Sequence, residues 1–123
     1  MNFLMVFIGG GIGSVLRYLC NLACSRDFCI FPYGTLLANV LGCLFLGFVI
    51  GFLQSKTPNC SNLKLFLSMG IAGGFTTFST FSLEIFHFLE KNNLFFGIFY
   101  PILSLFLGIF AIIFGLYLSR VIS

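Results

Sequence analysis

The run Gly73-Gly74-Phe75-Thr76-Thr77-Phe78-Ser79-Thr80-Phe81-Ser82 is the part of this chain best equipped for chemistry, because it interleaves hydroxyl groups with aromatic rings. Hydroxyl and amide N–H groups donate hydrogen bonds to an anion, and the edge of a phenyl ring carries partial positive charge. Together they suit a small anion that has lost part of its water. Phe75, Phe78 and Phe81 recur every three residues, which would put them on one face of an unbroken helix. The paired glycines weaken a helix, and unwound backbone inside a membrane persists only where protein or a wet cavity surrounds it. The competing expectation is an ordinary helix whose Ser and Thr bond back to their own carbonyls. Since the chain holds 19 Phe, the alternation with hydroxyls, and not the number of rings, favours a functional break.

Two further polar positions stand inside apolar sequence. Asn39 follows Thr35 by one helical turn, and Tyr100 precedes Ser104 by one turn. A buried amide without a partner costs several kcal/mol on apolar transfer scales, so Asn39 must bond another helix or a permeating species. Glue between helices is the simpler reading of each position taken alone. Charges are peripheral: Asp27 and Glu90 fall in connections, and Glu84 lies roughly 12 Å beyond the centre of its span at about 1.5 Å per residue. His87 lies nearer still to the span end. No carboxylate is placed centrally to carry protons or hold a cationic substrate. The glycines of Gly9 to Gly13 lack the lysine and hydroxyl of a phosphate-binding loop. A passive pore fits this inventory better than an energy-coupled pump, and no enzyme activity is expected.

These residues must be positioned by membrane helices. Of 123 residues, 59% are hydrophobic and only 7% charged, too apolar a mix for a water-soluble domain of this size. Crossing a hydrocarbon core of about 30 Å takes about 20 apolar helical residues. The chain divides into four such stretches, about 2–24, 33–53, 63–89 and 94–121, forming a single membrane domain, 1–123, with short connections. The arrangement predicted is an all-α membrane protein of four transmembrane helices, the third broken near the bilayer centre at about residue 76. Small residues spaced for close packing recur at Gly9 and Gly13, at Gly47 and Gly51, and from Ser104 through Gly108 and Ala111 to Gly115. The first span has no basic residue before it and no small-residue cleavage site, as in a retained span.

The six basic residues are scattered singly, so no nucleic-acid partner is expected; membrane lipid is the surrounding partner. Lys56, Lys64 and Arg120 fall on one side of the membrane, Arg26 and Lys91 on the other, with Arg17 near a span end. With so little bias the positive-inside rule assigns almost no orientation, which suits insertion both ways and an antiparallel dimer. Five cysteines, Cys20, Cys24, Cys29, Cys43 and Cys60, form no Cys-x-x-Cys pair, and their odd number argues against a disulfide framework.

At this point the sequence resembles a known family, the small bacterial fluoride channels called CrcB or Fluc. The resemblance rests on Gly9-Gly10 through Arg17-Tyr18, on Pro32-Tyr33-Gly34-Thr35-Leu36 with Asn39 and Gly42, and on GGFTTFSTFS followed by Glu84; the fourth span matches more loosely through Tyr100 and Ser104. It implies a fluoride-selective channel in the bacterial inner membrane that exports cytoplasmic fluoride and protects the cell from its toxicity. It also implies an antiparallel, dual-topology homodimer with two pores. Carried over by motif, Phe78 and Phe81 would contact fluoride, Asn39 would be a pore donor, and Thr80, Tyr100 and Ser104 would belong to a polar track. Arg17 and Glu84 would lie towards the vestibule. Backbone carbonyls of Gly73 and Thr76 from both subunits would hold a structural sodium ion.

Two readings from other classes compete. A small proton-coupled multidrug antiporter would also have four spans, but it needs a central carboxylate. A non-transporting membrane scaffold, held by its small-residue faces and Asn39, would pass no ions when reconstituted alone.

Overall fold

The computed structural model describes residues 2–24, 31–56 and 61–122, and all regular structure among them is helical. Helix α1 (Asn2–Cys24) and helix α2 (Tyr33–Lys56) come first. The third stretch is composite: α3 (Ser61–Lys64), a π-helical segment (Leu65–Ala72), α4 (Gly73–Phe75), three non-helical residues, then α5 (Ser79–Glu90). Helix α6 (Leu94–Ile122) is the longest, at 29 residues. Three helices, α1, α2 and α6, are long and apolar enough to cross a membrane. The outer surface agrees with that setting: Phe3, Phe7, Phe95 and Phe106 are among many large apolar side chains left uncovered. Arg26, Asp27, Cys29 and Cys60 lie outside the described residues.

Glycine decides how these helices meet. In α2 and α6 a methyl at Gly47 would land on the Ile112 carbonyl, and one at Gly115 on the backbone of Leu44 and Phe48. The two helices therefore touch backbone to backbone, as small residues permit in an apolar medium where dispersion replaces the hydrophobic drive. The same device joins α1 to the third stretch: a methyl at Gly9 would sit 2.6 Å from the Phe66 carbonyl, and one at Gly13 would strike Ile71 and the Phe75 nitrogen. Gly115→Val is expected to prevent α2 and α6 from closing, with loss of a monodisperse species in size-exclusion chromatography; an unchanged elution profile would contradict this packing.

The break falls later than the paired glycines suggest. Gly73 and Gly74 are helical, and the chain leaves the helix at Thr76, which is extended at φ −80 and ψ 152. Gly74 serves packing instead, since a methyl there would lie 2.5 Å from the Gly10 carbonyl. The π-helical segment is also absent from the sequence expectation. It widens the helix where α1 presses closest, and at its end the Gly73 N–H bonds to both Gly70 and Ser68 carbonyls.

The connection from α5 to α6 is tight. The Lys91 N–H closes on the His87 carbonyl at 3.2 Å, Asn92 takes the left-handed conformation at φ 56, and Asn93 Oδ1 accepts from the Phe96 N–H at 3.4 Å. Asparagine tolerates both tasks, a positive φ and a helix N-cap. The turn therefore fixes where α5 ends and α6 begins.

Candidate functional site

The site grows from the break. A helix running on from α4 would carry the Thr77 N–H to the Gly73 carbonyl; here it goes to Asn39 Oδ1 at 2.8 Å, and Asn39 Nδ2 donates back to the Thr77 carbonyl at 3.2 Å. One amide side chain on α2 thus satisfies both backbone groups of one residue on the third stretch. The Thr80 N–H, which would continue to the Thr76 carbonyl, turns to Thr77 Oγ1 at 3.3 Å instead. As a result, the Gly73 and Thr76 carbonyls lose their regular helical donors. Arg17, reaching from α1, approaches the Thr76 carbonyl with a guanidinium nitrogen at 3.5 Å. That is the outer limit of a hydrogen bond, but a cation beside a helix C-terminus is favourable at any such distance.

Beyond the break the hydroxyls form a short chain. Thr77 Oγ1 lies 3.2 Å from Thr80 Oγ1, to which it donates, and 3.3 Å from Ser79 Oγ. Thr77 is buried, whereas Ser79 faces outward and Thr80 is half-buried. This chain runs alongside the rings: Phe78 and Phe81 have centroids 6.0 Å apart, and Phe81 stands 5.1 Å from Tyr100.

At the far end Glu84 on α5 is gripped from two other helices. Thr35 on α2 donates its hydroxyl to one carboxylate oxygen at 2.5 Å, and Tyr100 on α6 donates to the other at 2.8 Å. The two bonds join α5 to α2 and to α6, so this triad ties three helices together. Tyr100 is wholly buried and packs edge-on against Phe31 at 5.3 Å. Ser104, one turn further along α6, buries its hydroxyl beside the phenol without a hydrogen bond of acceptable geometry among the described residues. A buried hydroxyl left so costs roughly 1–3 kcal/mol unless water or a permeating species supplies the partner. Tyr100→Phe is expected to lower stability by about 1–3 kcal/mol, by leaving one carboxylate oxygen bare, while preserving the aromatic packing. Thermal unfolding in detergent reads this directly, and an unaltered midpoint would argue against the triad.

The positions anticipated from sequence thus fall into two connected groups. Asn39, Thr80, Gly73, Thr76 and Arg17 gather at the break, and Phe78 and Phe81 lead from it to Glu84, Tyr100 and Ser104. Arg17 and Glu84, both expected towards the vestibule, belong to different groups. Phe75 does not share a face with Phe78 and Phe81. It is 8% exposed and packed beside Gly42, while Phe78 is 79% exposed, because the three-residue break rotates everything after it. Thr77 and the role of Thr35 escaped the sequence reading. The one-turn spacing of Thr35 and Asn39 was visible, but not that one would meet Glu84 and the other Thr77.

Comparison with known proteins shows the family to which the chain belongs. Residues 4–116 match the family described as CrcB-like protein, Camphor Resistance (CrcB). A relative in Clostridium perfringens named fluoride-specific ion channel FluC is 43% identical over 120 residues, covering 97% of this chain and 94% of the relative. One in Nitrobacter hamburgensis, fluoride-specific ion channel FluC 2, is 38% identical and covers 98% of both chains. Another in Flavobacterium psychrophilum, fluoride-specific ion channel FluC, is 40% identical over 94% of each. The resemblance read from the motifs at Arg17, Asn39 and Gly73 to Ser82 therefore holds along nearly the whole length, and the chain belongs to the CrcB-like family.

Proposed function

We propose that the protein is a passive, fluoride-selective channel of the bacterial cell membrane that lets cytoplasmic fluoride leave and so limits its toxicity. It is not an enzyme. The names of its relatives supply the ion. The observation that carries the reading is the run of donors and rings from Asn39 and Thr77 past Phe78 and Phe81 to Tyr100, with the buried Ser104 hydroxyl beside it. Stripping water from a small anion is very unfavourable, so donors must stand fixed before it arrives. Asn39 is fixed by its two bonds to Thr77 and retains one free amide hydrogen. Phe78 offers its ring openly. Tyr100 and Thr35 donate hydrogen bonds to the two oxygens of Glu84, which partly screens the carboxylate where it would otherwise repel an anion.

No energy input is needed. Undissociated hydrogen fluoride enters an acid-exposed cell, ionises in the more alkaline cytoplasm and is trapped there. The membrane potential then drives the anion outward with about 2.3 kcal/mol per 100 mV. The rival antiporter reading lacks a central carboxylate among the described residues: Glu90 ends α5, and both oxygens of Glu84 are engaged by hydroxyls from other helices.

The working unit proposed is an antiparallel, dual-topology homodimer in which each chain crosses four times, the third crossing through the break. Two pores would each draw residues from both chains. The exposed Phe78 and Gly73 support this, since such groups in midmembrane suit a protein neighbour. The Gly73 and Thr76 carbonyls, freed from their helical donors, fit a hard cation, and we assign them to a structural sodium ion between the chains. Bound there, sodium would neutralise converging carbonyl dipoles at the dimer centre.

Expression in a bacterium lacking fluoride export tests the cellular role. Restored growth in millimolar-range fluoride at acidic pH is expected, with no gain in chloride medium. Failure to restore growth with the protein present in the membrane would refute export. A reporter fused to Ser123 should show both orientations; a uniform one would refute dual topology.

A further inference from the structure

We propose that the cavity at the end of α5 is an anion-collecting mouth, in which Lys91 holds a hydrated, halide-sized monovalent anion before it enters the line of donors. This rests on the channel reading and adds to it a residue and a waiting site. The cavity has a volume of about 320 Å³ and opens at the junction of α5, α6 and the segment leading into α2. Its apolar wall is Phe31, Pro32 and Phe88; its polar groups are Glu84, His87, Lys91 and Asn93.

The order of these groups along α5 is the argument. Glu84, His87 and Lys91 follow one another at intervals of three and four residues, so they lie on one helix face. Lys91 stands two turns, about 10 Å, outward of Glu84 at about 1.5 Å per residue. The floor of the cavity is thus a carboxylate whose oxygens are both occupied by hydroxyls, and its rim is an ammonium. An anion moving along this route meets the masked negative charge only after passing the positive one. Lys91 is held there because its own N–H caps α5 and the left-handed Asn92 turns the chain immediately after it. Glu90, the adjacent acid, is exposed and does not line the cavity.

Lys91 also sits at a helix C-terminus, where a cation stabilises the helix whatever passes nearby. The two roles separate by ionic strength and by assay. A single charge beside an ion path in water changes local anion concentration roughly threefold when salt is low, and little once the screening length falls below the path distance. The experiment is fluoride efflux from liposomes containing full-length protein, at about 10 mM and about 300 mM ionic strength. Sodium is held constant, and the difference is made up with a choline salt of an impermeant anion. Lys91→Gln is expected to slow efflux about threefold at the lower ionic strength and negligibly at the higher. Lys91→Glu should slow it about tenfold at the lower, and Lys91→Arg should match the wild type. The proposal is overturned if Lys91→Gln and Lys91→Glu both match the wild type at the lower ionic strength. Equal losses at both ionic strengths would overturn it too, since they would mark a helix-capping role. Absence of fluoride efflux from the wild type would instead defeat the channel reading itself.

Discussion

Phe78→Ile is expected to reduce fluoride flux roughly thirty- to a hundredfold while leaving the fold and the elution volume unchanged. The ring is 79% exposed, so the single chain draws almost no packing from it, and isoleucine keeps the site apolar and of similar bulk. What is lost is the electropositive ring edge, at a depth where little water remains to replace it. An interaction of about 2–3 kcal/mol at the top of a barrier corresponds to roughly thirty- to a hundredfold in rate, at about 1.4 kcal/mol per tenfold. Efflux rates measured on protein of unchanged elution volume check this. A variant with normal flux would show that Phe78 merely fills space.

Asn39 has the second large effect, and it differs in kind. Asn39→Ala removes both bonds to Thr77 and leaves a backbone N–H and a carbonyl unpaired at this buried residue. At roughly 1–3 kcal/mol for each of the two unsatisfied groups, the destabilisation should reach about 2–6 kcal/mol. The segment 76–78 would then be free to rejoin the helix, since the Thr77 N–H could return to the Gly73 carbonyl. Flux should vanish together with the fall in melting temperature. Asn39→Asp keeps the acceptor for the Thr77 N–H but sets a second oxygen against the Thr77 carbonyl, and it too should abolish flux. If Asn39→Ala melted like the wild type, the break would have to be maintained by something other than this amide.

These two residues also show what a sequence of this kind discloses. Asn39, Phe78 and Glu84 stand out because polar or patterned residues inside an apolar run need a physical reason. Hydropathy and length mark α1, α2 and α6 as helices able to cross a membrane. The glycines marked close helix contacts, but not which helix would be touched: Gly9 and Gly13 meet the π-helical segment, and Gly47 meets α6. Nothing in the local sequence distinguishes π from α over Leu65–Ala72, because the widening answers a neighbour's backbone. The periodicity of Phe75, Phe78 and Phe81 misled for a related reason. Spacing predicts a shared face only if the helix is unbroken, and Asn39, 38 residues away from Thr77, breaks it. The grip of Thr35 and Tyr100 on Glu84 likewise joins three helices and has no signature in any one of them.

This chain alone should form a selective passive route for fluoride. The measurement that tests it most directly is anion efflux from liposomes holding the purified protein, with potassium salt inside, valinomycin to release the counterion, sodium present, and a fluoride electrode outside. The account predicts fast release of fluoride on adding valinomycin, and no release above background from vesicles loaded with chloride. Chloride leaving as fast as fluoride, or fluoride retained despite well-folded protein, would contradict it.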